Sequence, residues 1–356
     1  MLASTAGDTA VIIFAVDHEH MMAIGGRMFG AYRMVLALMV ALSHIGGAWG
    51  LGAYAVFGFF VLSGYLMTHI MHRTYGFTAS GIGRYVLNRF LRIYPMYWLA
   101  CLVSAGAVIA ADPEITDSLA KGMGLPTALG GWVQNLLLIL FSGTKPVLIY
   151  PAWALTLELF FYVAIAFSVS RTRLGTGIWF LLGLGYALVV NALGLDWKYK
   201  YFSVFAASLP FSVGALIFHY RDTLSGRLAF LNNHSVRFGI ASLLFVNWIL
   251  SKIWPSIYQA LFYSNLLIHA LIIVSLLDMP ETGRFTRKWD SWLGNFSYPI
   301  YLIHMPVGVL AVAMGSPFKL PSPGLFVLSF PLLVFISWGM IVCLENPIDR
   351  LRMRFK

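Results

Sequence analysis

Two ionisable residues share one apolar run, Arg33-Met-Val-Leu-Ala-Leu-Met-Val-Ala-Leu-Ser43-His44. A guanidinium binds anions, and an imidazole takes or gives a proton near neutral pH. In a helix, this spacing gives roughly 16 Å of rise and about 1100° of rotation, three turns plus about 20°. Both side chains then point to one side at different heights. Ionisable groups inside a membrane helix usually face the bundle interior or water. Taken alone, each also fits a plain role, an anchoring arginine at the membrane edge or a packing histidine.

Four other stretches hold groups that could act. Pro151-Ala-Trp153-Ala-Leu-Thr156-Leu-Glu158-Leu-Phe-Phe-Tyr162 places a carboxylate two turns into an apolar run. Glu158 is then either protonated and bonded to a neighbouring helix, or a partner for His44. In the second case it fixes the imidazole tautomer and raises its basicity, as a general base needs. Arg89-Phe-Leu-Arg92-Ile-Tyr94-Pro95 puts two arginines three apart on one helix face, with Pro95 in the first turn of a span. They anchor the chain at headgroup level or clamp a phosphate. Gly58-Phe-Phe-Val-Leu-Ser63-Gly64-Tyr65 suits close helix packing or a ligand chain. It is not a nucleophile elbow, because G-x-S-x-G is missing. Asn295-Phe-Ser297-Tyr298-Pro299-Ile-Tyr301-Leu-Ile-His304 opens another span, with Tyr301 and His304 on one face. By itself His304 reads as a hydrogen-bonded core residue, and Glu345-Asn346-Pro347 as a helix stop.

The elements that must position these groups are membrane helices. The chain is 59% hydrophobic and 11% charged, where a soluble domain carries about 25% charge. The alternation of a membrane barrel is absent, so the fold class is all-α, a polytopic helical bundle. The net charge of +10 therefore does not imply nucleic acid; its distribution along the loops comes first. Cys101 and Cys343 fall within apolar runs, and no metal centre is expected. Asp17-His18-Glu19-His20 reads as a flexible tail rather than a metal site. No secretory signal peptide is recognisable, so the first span drives insertion.

Ten spans are expected, near 30–49, 51–71, 94–111, 150–170, 175–194, 201–219, 236–253, 259–278, 294–313 and 324–344. The apolar piece 131–141 is too short to cross and is expected to be re-entrant or interfacial. With both termini in the cytoplasm, every arginine and 18 of the 24 basic residues fall inside. Three segments follow: an N-terminal cytoplasmic extension, 1–27; a membrane domain, 28–350; and a basic tail, 351–356. On this map His44 and Glu158 share a level in the outer half, Arg33 lies at the inner edge and His304 near the middle.

Taken in order, these stretches resemble the acyltransferase-3 family of integral membrane acyltransferases. The residues that carry it are Arg33 with His44, Phe-Phe-Val-Leu-Ser-Gly-Tyr at 59–65, Arg89-x-x-Arg92-Ile-Tyr-Pro, Trp153…Glu158…Tyr162, Ser297-Tyr298-Pro-Ile-Tyr301-Leu-Ile-His304 and Glu345-x-Pro347. The match covers about residues 28–350. The resemblance implies transfer of an acyl group, commonly acetyl, from cytoplasmic acyl-coenzyme A to a carbohydrate hydroxyl on or beyond the membrane. It makes Arg33 and His44 the essential pair and Arg89 and Arg92 the cytoplasmic arginine motif. Many bacterial relatives add a soluble extracytoplasmic domain, which is not expected in these 356 residues.

Residues and resemblance converge on an O-acyltransferase of the bacterial inner membrane. Arg89 and Arg92, with Arg33, are expected to hold the phosphates of acyl-coenzyme A. Its arm passes Ser63 and Tyr65. His44, held by Glu158, takes the acceptor's proton, and Trp153, Tyr162, Tyr301 and His304 lend support. Expected partners are acyl-coenzyme A, a carbohydrate or glycolipid acceptor and membrane lipid, without nucleic acid or metal. The competing class is a proton-coupled transporter or flippase of a glycan or lipid-linked sugar, which intramembrane His, Glu and Arg also suit. Inverted repeats with matched broken helices are not evident.

Overall fold

Apolar runs that must satisfy their own backbone hydrogen bonds in lipid become helices, and helices account for most of the described residues. The computed structural model describes residues 28–352 apart from 120–121, 142–145, 278–283 and 319–320. The 1–27 extension, with Asp17 to His20, lies outside the described residues, as do 353–356 of the basic tail.

Helix α1, Phe29–His44, is followed by α2, Leu51–Ile70, which a π-helical turn, Met71–Tyr75, prolongs. Thr78 caps α3, Ala79–Ala110, through its hydroxyl and Gly81 N (3.2 Å). Two short helices follow, α4, Pro113–Leu119, and α5, Leu129–Leu136. A 3-10 turn at Tyr150–Ala152 leads into α6, Trp153–Ala166. Next come α7, Arg173–Ala192, α8, Trp197–Tyr201, and α9, Val204–Arg227. Then follow α10, His234–Ile253, α11, Tyr258–Leu277, α12, Arg284–Ala313, and α13, Pro323–Met340. A π-helical turn, Ile341–Glu345, passes into α14, Asn346–Arg352.

Eight helices among the described residues are long and apolar enough to cross a membrane, and the protein is an integral, multi-pass membrane protein. Of the ten expected spans, the first and fourth correspond to α1 and α6, which are apolar but only 16 and 14 residues long. The expected short piece is α5 with the non-helical residues 137–141 that follow it. Its last carbonyls are taken one by one: Asn135 O by the Tyr97 hydroxyl (2.7 Å), Leu136 O by Trp98 Nε1 (2.9 Å) and Leu137 O by the Tyr94 hydroxyl (3.0 Å). Thr156 donates to Leu138 O (2.7 Å). Non-helical backbone at this depth survives because protein side chains satisfy it.

One expectation needs correction. Pro95 does not lie in a first turn but is interior, because α3 starts at Ala79. Pro299 is likewise interior to α12, which starts at Arg284. The polar lead-in turns carry no hydropathy signal, yet they continue the same helices.

The core is organised around α2. Most of its membrane-length segment is buried, 83%, against 11% for α10 at the periphery. Close approach explains its glycines. A Cβ on Gly64 would lie 2.1 Å from Phe211 O, and one on Gly214 2.0 Å from Val61 O, so α2 and α9 meet backbone to backbone. Helix α1 packs as tightly on α12. The Asp290 carboxylate accepts from Gly30 N (3.1 Å) and Ala31 N (2.7 Å), which satisfies the first amides of α1 and fixes the turn that carries Arg33.

Candidate functional site

A cavity of about 160 Å³ opens between α1, α2, α3, α6 and α12. It compares with the ~150 Å³ engineered cavity that admits benzene, so it takes a chain end of that size. Its polar lining collects Arg33, Ser63, Arg89, Arg92, Glu158, Tyr162 and Tyr301. Five elements distant in sequence therefore bring seven of the eleven residues singled out from the sequence to one space.

The charge there is uneven. Arg92 forms an ion pair with buried Glu345, which the π-helical turn aims inward. The Arg89 guanidinium bonds to Asn88 Oδ1 (2.7 Å) and meets Met67 Sδ at 3.8 Å, while its Nε has no partner among the described residues. Arg33 makes one long hydrogen bond, Nε to Phe29 O at 3.4 Å, and no ion pair among the described residues. Two guanidinium groups without a carboxylate thus face the cavity, an arrangement suited to an anionic ligand.

Glu158 lies on the same cavity. Its Oε1 accepts from Ser63 Oγ (2.5 Å) and from the Tyr162 hydroxyl. The expected contact with His44 is not formed. Instead His44 Nδ1 lies 2.9 Å from His304 Nε2, the two rings nearly parallel at 9°. The depths explain the difference. His44 packs edge-on against Tyr150, with ring centroids 5.8 Å apart, and Glu158 is eight residues further on, about 12 Å along a helix. Short α1 and α6 set that offset, where an average membrane thickness had put the two side chains at one level.

The histidine pair has only one consistent proton arrangement when neutral. His304 Nδ1 faces the carbonyls of Tyr301 (2.8 Å) and Ile300 (3.2 Å), which can only accept. His304 Nε2 is then the acceptor, and His44 Nδ1 must donate to it. This leaves the lone pair on His44 Nε2, which no hydrogen bond to a described residue occupies. His269 differs, because Tyr32 (2.7 Å) and Tyr54 O (2.9 Å) use both its nitrogens. Tyr301 links the two stations: its ring lines the cavity, its hydroxyl donates to Pro151 O (2.8 Å) and its carbonyl receives His304.

Two singled-out residues stand elsewhere. Tyr65 is buried against Phe29 and His69 and does not line the cavity. Trp153 packs on the rings of Tyr201 and Phe202. In α2 both sequence readings hold, on opposite faces: Gly64 meets α9 and Ser63 faces the cavity. Asn88 and Asp290 carried no signal beyond polarity, and Glu345 read as a helix stop. Among the described residues no group of three or more His, Cys, Asp or Glu could hold a metal ion.

Comparison with known proteins adds the chemical class. A Bacillus subtilis (strain 168) protein named "Putative peptidoglycan O-acetyltransferase YrhL" is 27% identical over 315 residues. The alignment covers 80% of this chain and 49% of that protein, so the chain spans about half the length of this curated relative. No solved structure matches. The acyltransferase-domain model of the acyltransferase-3 family matches residues 30–342, the stretch that holds the cavity and both histidines, and the chain belongs to that family.

Proposed function

We propose that the protein transfers an acyl group, acetyl by default, from cytoplasmic acyl-coenzyme A to a carbohydrate hydroxyl outside the cytoplasm. The observation that carries this reading is one cavity lined by Arg33, Arg89 and Arg92 and separated from the His44–His304 pair by Tyr301. The chain sits in the bacterial inner membrane, crossing ten times with α1 and α6 as short spans and both termini in the cytoplasm. The distribution of arginine supports that direction. The name of the Bacillus relative makes peptidoglycan glycans the first acceptor to test.

In this scheme the arginines hold the donor phosphates, and the thioester end rises past Ser63 and Glu158 to Tyr301. The acceptor approaches on the Tyr150 side. His44 Nε2 takes the hydroxyl proton as the oxygen attacks the thioester carbonyl. The carbon–sulfur bond breaks, the ester forms, and the proton passes to the departing thiolate. His304 holds His44 in the tautomer that can accept.

Purified protein in detergent, where no gradient exists, is expected to release free thiol from acetyl-coenzyme A when a glycan acceptor is added. A carrier releases none. Thiol release that ignores the acceptor, or none with any carbohydrate, rejects the transferase reading.

A further inference from the structure

Three side chains outside the cavity's expected set meet behind its arginines. Asn88 Oδ1 accepts from Arg89 Nη2 (2.7 Å) and from Arg352 Nη2 (3.1 Å), so one amide oxygen ties α3 to the last helix, α14. Asn88 and Arg352 are both buried, at 0% and 5% exposure. Asp349 pairs with Arg352, as Glu345 does with Arg92. Three guanidinium groups are therefore matched by two carboxylates, and Arg33 adds a fourth cation on the cavity.

The groups left over are mostly of one kind. Asn88 Nδ2, Arg89 Nε and Arg352 Nε are buried donors with no acceptor among the described residues. A buried donor without an acceptor costs about 1–3 kcal/mol, more when charged. Three around one oxygen are not accounted for by helix packing. The cluster's single leftover acceptor, Glu345 Oε2, does not satisfy three donors. Planar guanidinium groups beside an amide match the oxygens of a phosphoryl group.

We propose that Asn88, Arg89 and Arg352 form a phosphoryl-binding site behind the cavity, and that its ligand is a phosphate of the acyl donor. The second half rests on the donor reading given above. Asp349 holds Arg352 in place and competes with the ligand for it. Helix α14 thereby becomes part of donor recognition, and Arg352 a binding residue.

The test measures binding of coenzyme A, inorganic pyrophosphate and pantetheine to the full chain in detergent. Arg352→Gln is expected to bind coenzyme A and pyrophosphate about tenfold more weakly, the loss of one charge-assisted contact, with pantetheine unaffected. Asp349→Asn is expected to tighten both anions about threefold by freeing Arg352, an effect opposite to that of loosening a structural clasp. Wild-type affinity in Arg352→Gln, or unchanged or weaker binding in Asp349→Asn, overturns the site. If Arg352→Gln does not fold, the Asp349→Asn result decides alone. Pyrophosphate binding that depends on Arg352, without any coenzyme A binding by the wild type, keeps the site and removes the donor reading.

Discussion

His44 Nδ1 donates to His304 Nε2 at 2.9 Å, and His304 is itself anchored on the carbonyl of Tyr301. The outer imidazole is thus held by another imidazole, with no carboxylate between them. If His44 is the base, His44→Ala loses about 10²–10⁴ in transfer rate while coenzyme A binding, read by calorimetry, stays intact. Retained transfer removes His44 from the base role.

In the proposed scheme His304 acts on the rate through His44. His304→Ala frees the ring of His44, and misplacement by ~1 Å costs up to about 10²-fold. His304→Gln offers an amide oxygen where Nε2 stood, so it is expected to recover part of kcat with an altered pH profile. Equal losses in both variants, with unaltered pH profiles, point to packing alone.

In the proposed scheme the arginines act on the donor. Arg89→Ala with Arg92→Ala is expected to raise KM for acyl-coenzyme A by at least about tenfold, since hydrogen bonds to charged groups contribute ~1.5–3 kcal/mol each. The variant also strands Glu345, so thermal melting is measured beside the kinetics. Unchanged donor affinity sinks the clamp.

Glu158 joins two hydroxyls that sit on different helices, Ser63 on α2 and Tyr162 on α6. Glu158→Ala leaves two donors without their acceptor, at about 1–3 kcal/mol each, and is expected to lower the melting temperature. Glu158→Gln keeps an acceptor oxygen and should melt closer to wild type. If the two variants melt alike, the hydrogen bonds to Ser63 and Tyr162 contribute nothing measurable.

Close packing of α2 on α9 gives the largest stability effect. Gly64→Val places carbon against Phe211 O, where even a Cβ would lie at 2.1 Å. Loss of folded protein on gel filtration is expected, whereas Gly83→Ala on α3, which meets nothing within 4 Å, should behave as wild type.

Composition revealed the membrane class, and the order of motifs revealed which residues to gather, because both depend on residue type alone. Arg33, Ser63, Arg89, Arg92, Glu158, Tyr162 and Tyr301 do line one cavity. Pairing within that set was less legible. His44 and Glu158 were matched by depth, and depth assumed full-length helices, which α1 and α6 are not. The partner of His44 lay in the same list, yet nothing in the spacing of α1 and α12 states their mutual height. Asn88 and Asp290 escaped because a single polar residue beside an arginine or a tryptophan has no period to betray it.

Tyr301 closes the cavity on the side of the histidine pair, with its hydroxyl held by Pro151 O and its carbonyl by His304. On the proposed orientation, that ring is an insulator. A membrane enzyme that serves both sides of its bilayer risks becoming a leak for protons and ions, which would drain the gradient the cell lives on. A wall anchored from both of its polar ends lets acyl chemistry pass while the electrical barrier stays whole.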